Sequence, residues 1–157
     1  MRFKIEEGNH LLVPVSIGVS APRRNALNNM MEPVPDDVRG IGLIDTGASL
    51  SVVYRPIIEK LRLSARGFCS VYGFSLREGE DIKYPNYDIS LAILDAVHDE
   101  QKIDDEVDRI EFRALQAVSP PCSHVEYDML IGMDVLSSLA ISVHGPGKWF
   151  ELNEAES

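Results

Sequence analysis

The sequence predicts a mostly β fold with one or two short helices, and three observations carry that prediction. Runs rich in valine, isoleucine and leucine recur at residues 10–19, 40–54, 68–94, 110–118 and 127–141, each bounded by turn-forming residues. Glycine, proline and asparagine cluster between them where long helical periods are missing. Finally, 157 residues with 45% hydrophobic content fill one core and not two. No period of about 20 to 50 residues repeats, which excludes a solenoid. The chain is therefore read as one domain, 1–157.

In chain order, HLLVPVSIGV at residues 10–19 reads as a strand, with Pro14 at an edge or bulge where no N–H is required. Residues 20–40 gather Pro22, Pro33, Pro35, Asn25, Asn28 and Asn29 without a period, which predicts an inserted surface loop. GIGLIDTGASLSVVY, Gly40 to Tyr54, enters a polar turn from one apolar run and leaves on another, so strand, tight loop, strand is expected. Pro56 then opens RPIIEKLRL, where Ile57, Ile58 and Leu61 share one face of a short helix. From Phe68 to Leu94 strand character returns, broken by a hairpin turn at REGED, residues 77–81. Residues 95–108 carry seven acids and few apolar side chains, the pattern of a solvated acidic loop. IEFRALQAV is a further strand, and Tyr127 to Ile141 passes from a buried strand through Gly132 into a helical turn. ISVHGPGKWFEL closes the chain as a hairpin turning at Gly145, Pro146 and Gly147.

Composition narrows the function classes. Fifteen basic against 25 acidic residues give a net charge of −10, the wrong sign for a phosphate-backbone binder, so no nucleic-acid partner is expected. Residues 1–7 alternate charged and apolar side chains and lack the apolar run of a signal peptide or membrane span. No membrane association is expected, and a cytoplasmic location is inferred from those missing signals. Cys69 and Cys122 are too few and too far apart for a disulfide scaffold or a CxxC motif, and read as buried free thiols. His10, His98, His124 and His144 are scattered, so neither a metal nor any other cofactor is expected.

The chemistry concentrates at Asp45. Directly after the apolar Leu43 and Ile44, its carboxylate is costly to ionise unless the following turn supplies hydrogen-bond donors. Gly47, without a Cβ, lets the backbone turn tightly and bring an N–H to that carboxylate. Thr46 adds a hydroxyl able to lock this loop against a neighbouring one. Asp134, just past Gly132, reads as a charge favouring a helix start, and Ser49 as a partner for local backbone. Trp149 and Phe150 fit either a dimer sheet or the core.

Asp45, Thr46, Gly47 and Ala48 resemble the active-site loop of retropepsins, the single-lobed aspartic peptidases of retroviral type. Leu130, Ile131 and Gly132 are similar to the later strand that backs the catalytic loop in that family. The string DMLIGMDVL is especially similar to the retroviral-protease-like domains of DNA-damage-inducible proteins and of bacterial relatives. The resemblance implies a closed, single-lobed acid-protease β fold and an aspartic endopeptidase that hydrolyses extended polypeptide segments. Because neither Asp128 nor Asp134 is followed by Thr-Gly, it also implies a homodimer in which each subunit contributes Asp45. Pepsin-like loops place a hydroxyl where Ala48 stands, which favours the charged carboxylate. Without it, a working pH nearer neutral is expected. The family's substrate-covering hairpin, or flap, would correspond to Val71–Tyr84, with Tyr72, Gly73, Phe74 and Gly79 as its candidate residues. That segment lacks a glycine-rich tip, so a catalytically inactive module keeping the peptidase fold for binding or dimerisation is the alternative.

Overall fold

The computed structural model describes residues 1–5, 8–71, 82–95, 108–122, 124 and 126–155. Its elements in chain order are β1 (Arg2–Lys4), β2 (Leu12–Val19), α1 (Ala21–Asn29), β3 (Val38–Ile44) and β4 (Val52–Val53). There follow α2 (Arg55–Lys60), β5 (Gly67–Val71), β6 (Ile82–Leu94) and β7 (Arg109–Val118). The chain ends in β8 (Met129–Ile131), α3 (Met133–Leu136), β9 (Leu139–His144) and β10 (Trp149–Glu154).

Alternating side chains build the barrel, because successive residues of a strand point to opposite faces. Val13, Val15 and Ile17 of β2 and Ile89, Leu91 and Ile93 of β6 are buried, while Ser16, Ser90 and Ala92 between them face outward. The strands hydrogen-bond in the order β2-β3-β8-β4-β7-β6-β5, and β2 pairs again with β6. That second pairing closes the sheet and leaves β5 as an outlying strand on β6, so the barrel itself offers no free edge. Two pairings are parallel, β3 with β8 and β4 with β7. The first brings the C-terminal ends of β3 and β8, and the loops leaving them, to the same end of the barrel. A separate sheet, β1-β10-β9, joins the chain's two ends, with Phe3 opposite Phe150 and their ring centroids 5.2 Å apart.

Pro14 occupies an edge-like position within a paired strand. The Ile44 N–H donates to the Leu11 carbonyl, which makes Pro14 and Ile41 a pair without mutual hydrogen bonds. The Pro14 nitrogen thus faces away from β3, and the ladder to β6 begins one residue later, at Val15.

The structure corrects some of these expectations and decides points that the sequence left open. Residues 20–40 are not one loop, since α1 fills 21–29 and raises the helices to three. Pro22 sits in its first turn, where no N–H is needed, and Leu27 is its buried residue, so no apolar period marked it in the sequence. β1 was not foreseen either, because its partner β10 lies at the other end of the chain. The thiols are free but not buried, Cys122 being exposed and Cys69 half-buried. Phe150 belongs to the core, whereas half-buried Trp149 lies on the outer face beneath the Arg2 guanidinium, 4.0 Å from its ring. The expected turn at 77–81 lies outside the described residues, as does all of the acidic stretch except its ends, where the Asp95 N–H meets the Asp108 carbonyl at 3.0 Å. Among the described residues, no helix is long and apolar enough to cross a membrane.

Candidate active site

Asp45 follows the last residue of β3, and its backbone is anchored before its side chain departs. Gly42, Leu43 and Ile44 run parallel to Met129, Leu130 and Ile131, and the Asp45 N–H continues the ladder by donating to the Ile131 carbonyl at 3.0 Å. The chain then leaves the barrel in a turn closed by the Ala48 N–H on the Asp45 carbonyl, 3.3 Å. Inside that turn the Gly47 N–H donates to Asp45 Oδ1 at 2.8 Å. A carboxylate accepting a backbone N–H in this way is held in one orientation and compensated for its loss of water. Asp45 is only half-buried, and Thr46 and Gly47 are exposed, so the carboxylate sits at a surface that another molecule can reach.

The loop rests on the segment after β8. The Met133 N–H donates to the Ala48 carbonyl at 2.8 Å. A Cβ on Gly132 would stand 2.7 Å from both the carbonyl carbon and oxygen of Leu50, so a side chain at 132 would push the loop away. Ser51, wholly buried, completes the junction. Its hydroxyl donates to Asp134 Oδ1 at 2.8 Å and accepts from the Gly132 N–H at 3.1 Å, while its own N–H donates to Asp134 Oδ2 at 3.0 Å.

The sequence therefore led to two groups of residues, 45–48 and 130–132, that the fold brings into one junction. Tyr72, Gly73, Phe74 and Gly79 lie outside the described residues, and only the paired arms leading to them, Val71 opposite Ile82, are described. Ser51 was missed. Its partners lie 81 and 83 residues away, and the nearest signal was a polar residue at the start of an apolar run. Asp134 does more than favour a helix start, since it spans from α3 to the Asp45 loop. Asp128, the other acid of the second motif, is likewise occupied structurally, accepting the Ile41 N–H at 3.0 Å. Ser49 is exposed. Among the described residues, no group of three or more His, Cys, Asp or Glu side chains is placed to hold a metal ion. Beyond the loop, Tyr54 packs beside Tyr127, and burial first, with Tyr127 second, pushes its phenol above the ordinary tyrosine range.

A closed β barrel with one aspartate-bearing loop backed by a glycine-containing strand end is the single-lobed retropepsin-like fold. Comparison with solved structures agrees: the chain is similar to a retropepsin-like aspartic protease from Rickettsia conorii. The two share 16% identity over 98% of this chain and 89% of that one, with a TM-score of 0.56. No family model matches the chain, and no curated protein does. At that identity the likeness establishes the fold.

Proposed function

We propose that this chain is an aspartic endopeptidase that hydrolyses extended polypeptide segments as a homodimer, with Asp45 from each subunit forming one dyad. The observation that carries this reading is the state of the three acids around the junction. Asp128 and Asp134 are bound into the scaffold, whereas Asp45 is half-exposed with one oxygen held by the Gly47 N–H. A water-activating dyad needs a second carboxylate, and a second copy of the same loop supplies it most directly. Thr46, exposed beside Asp45, is available to meet its counterpart across a twofold axis. Leu50 and Met133, about two-fifths exposed and joined to the loop, add apolar surface that a partner would cover.

Two carboxylates in contact do not both ionise, so the pair holds one proton and titrates as a unit. In the proposed reaction the ionised member takes a proton from a bound water while the protonated member donates to the scissile carbonyl oxygen. The water oxygen attacks the carbonyl carbon to give a tetrahedral diol. Breakdown of the diol breaks the C–N bond as the leaving amine takes the proton that came from the water, and one diol hydroxyl returns its proton to the other aspartate as the carbonyl reforms, restoring the singly protonated pair. Sedimentation mass and peptide-library cleavage test the reading together. The wild type should sediment as a dimer and cleave, and Asp45→Asn should remain a dimer and lose cleavage. A monomeric wild type, or cleavage unaffected by the substitution, refutes the dyad.

A further inference from the structure

We propose that Ser51, held by Asp134, is a positioning residue for the reaction at Asp45: it fixes the far end of the Asp45 loop so that the two carboxylates of the dimer meet in contact. The proposal rests on the reading of Asp45 as half of a dyad, and adds to it a residue outside both the 45–48 and the 130–132 groups.

Ser51 is a polar group where an apolar one would pack. It is 0% exposed and directly precedes β4, whose Val53 is equally buried. A buried hydroxyl is costly unless its hydrogen bonds are made, and even a satisfied one contributes little net stability over a well-packed apolar side chain. Ser51 makes all of its bonds. The hydroxyl donates to Asp134 Oδ1 and accepts from the Gly132 N–H, the Ser51 N–H donates to Asp134 Oδ2, and the Ser51 carbonyl accepts the Val118 N–H at 3.1 Å. An ionised carboxylate only accepts, so the hydroxyl proton points to Asp134 and its lone pair to Gly132. Such a network specifies one arrangement of the chain more than it adds stability.

That arrangement is the one the Asp45 loop needs. None of residues 46–50 is buried, and Thr46, Gly47, Ser49 and Leu50 are exposed, so core packing does not hold the loop. Its anchors on the 131–134 segment do. The Asp45 N–H meets the Ile131 carbonyl at 3.0 Å, the Met133 N–H meets the Ala48 carbonyl at 2.8 Å, and Ser51 meets Gly132 and Asp134. The first two join backbone to backbone, whereas the third requires the serine hydroxyl and the aspartate. Because Asp45 Oδ1 is held by the Gly47 N–H within the same loop, a shift of the loop carries the carboxylate with it.

A misplacement of about 1 Å at a reacting group costs roughly a hundredfold in rate, and a twofold axis applies the same shift to both members of the dyad. Contact between the carboxylates is also what separates the two apparent pKa values of a proton-sharing pair. Letting the loop drift therefore slows the reaction and draws the two limbs of the pH–rate profile together. A loss of stability elsewhere in the chain does neither.

The test compares kcat, KM and the pH dependence of cleavage of one library peptide by wild type, Ser51→Ala, Asp134→Asn and Leu27→Ala, each at a concentration where it sediments as a dimer. Ser51→Ala should lower kcat by about tenfold to a hundredfold with little change in KM, and bring the acidic and basic limbs closer by about half a unit or more. Asp134→Asn keeps one acceptor and should change both quantities less, in the same direction; it carries the test if Ser51→Ala does not fold. The double variant should lose no more than Ser51→Ala alone, because both act through one junction. Leu27→Ala removes the buried residue of α1, which precedes β3 whereas the loop follows it, and should keep the kcat and limbs of wild type. With Asp45→Asn inactive, a wild-type kcat and profile in Ser51→Ala, or an equal loss in Leu27→Ala, would overturn the positioning role and leave the dyad standing. A wild type that is monomeric or does not cleave, or an active Asp45→Asn, would overturn the dyad and the positioning role with it.

Discussion

Replacing Gly132 with alanine isolates the packing that backs the Asp45 loop. A Cβ there would lie 2.7 Å from the carbonyl carbon and oxygen of Leu50 and 3.0 Å from the Ala48 oxygen. All three are backbone atoms, so no rotamer change relieves the overlap. Gly132 is extended, with φ −94° and ψ −176°, a conformation alanine adopts freely, and the whole cost therefore arises from contact. To escape, the loop must retreat and give up the Met133 N–H bond to Ala48, 2.8 Å, and the Gly132 N–H bond to Ser51, 3.1 Å. Overpacking costs about 1–3 kcal/mol and each of the two lost hydrogen bonds about 1 kcal/mol, giving roughly 3–5 kcal/mol together. For a domain of this size that lowers Tm by roughly 6–20 °C. Thermal unfolding followed by circular dichroism measures it, with Gly145→Ala as control, since a Cβ there meets nothing within 4 Å. The control should melt within about 2 °C of wild type. A Gly132→Ala protein melting within the same margin would refute the packing argument.

Asp134→Ala strips the buried Ser51 of the acceptor for both its N–H and its hydroxyl. It should cost about 2–4 kcal/mol in urea unfolding, with Asp134→Asn costing about half as much because one acceptor survives. Equal stability of Asp134→Ala and wild type would mean that the junction is not held there. Tyr54 has its phenol raised above the ordinary value of 10.0 by burial. A group raised in the folded state stabilises fully below its unfolded value and loses that contribution as pH climbs, so stability should decline above about pH 10. Tyr54→Phe should flatten the decline, and a slope unchanged by the substitution would contradict the burial. Ala48→Ser offers a hydroxyl to the charged carboxylate and should move the acidic limb of the kcat/KM profile to lower pH by about half a unit. A wild-type profile peaking below about pH 3 would contradict the expectation of a near-neutral working range.

Much of the barrel was legible because its signals are local. Pro56 opens α2, a polar turn divides the 40–54 run, and the Leu130–Gly132 segment ends a buried strand, each within a window of a few residues. The elements that escaped depend on distant partners or bury too little. α1 buries Leu27 of its nine residues, so its sequence has the composition of a loop. β1 is three residues long and exists because Phe3 meets Phe150 across the whole chain. The same distinction holds at the site. Asp45 and Gly47 are two residues apart, and their contact could be reasoned from the turn alone. Ser51 and Asp134 form their pair across 83 residues, where neither hydroxyl nor carboxylate carried a mark of the other.

Mixing wild type with Asp45→Asn gives the most direct test of a shared dyad. After subunit exchange at equal concentrations, only about half of the wild-type chains remain paired with another wild-type chain. Peptide cleavage per wild-type chain should therefore fall to about half, with Asp45→Asn alone inactive. A rate unchanged by the added variant, or cleavage by Asp45→Asn at the wild-type rate, would contradict a catalytic centre built from one Asp45 of each subunit.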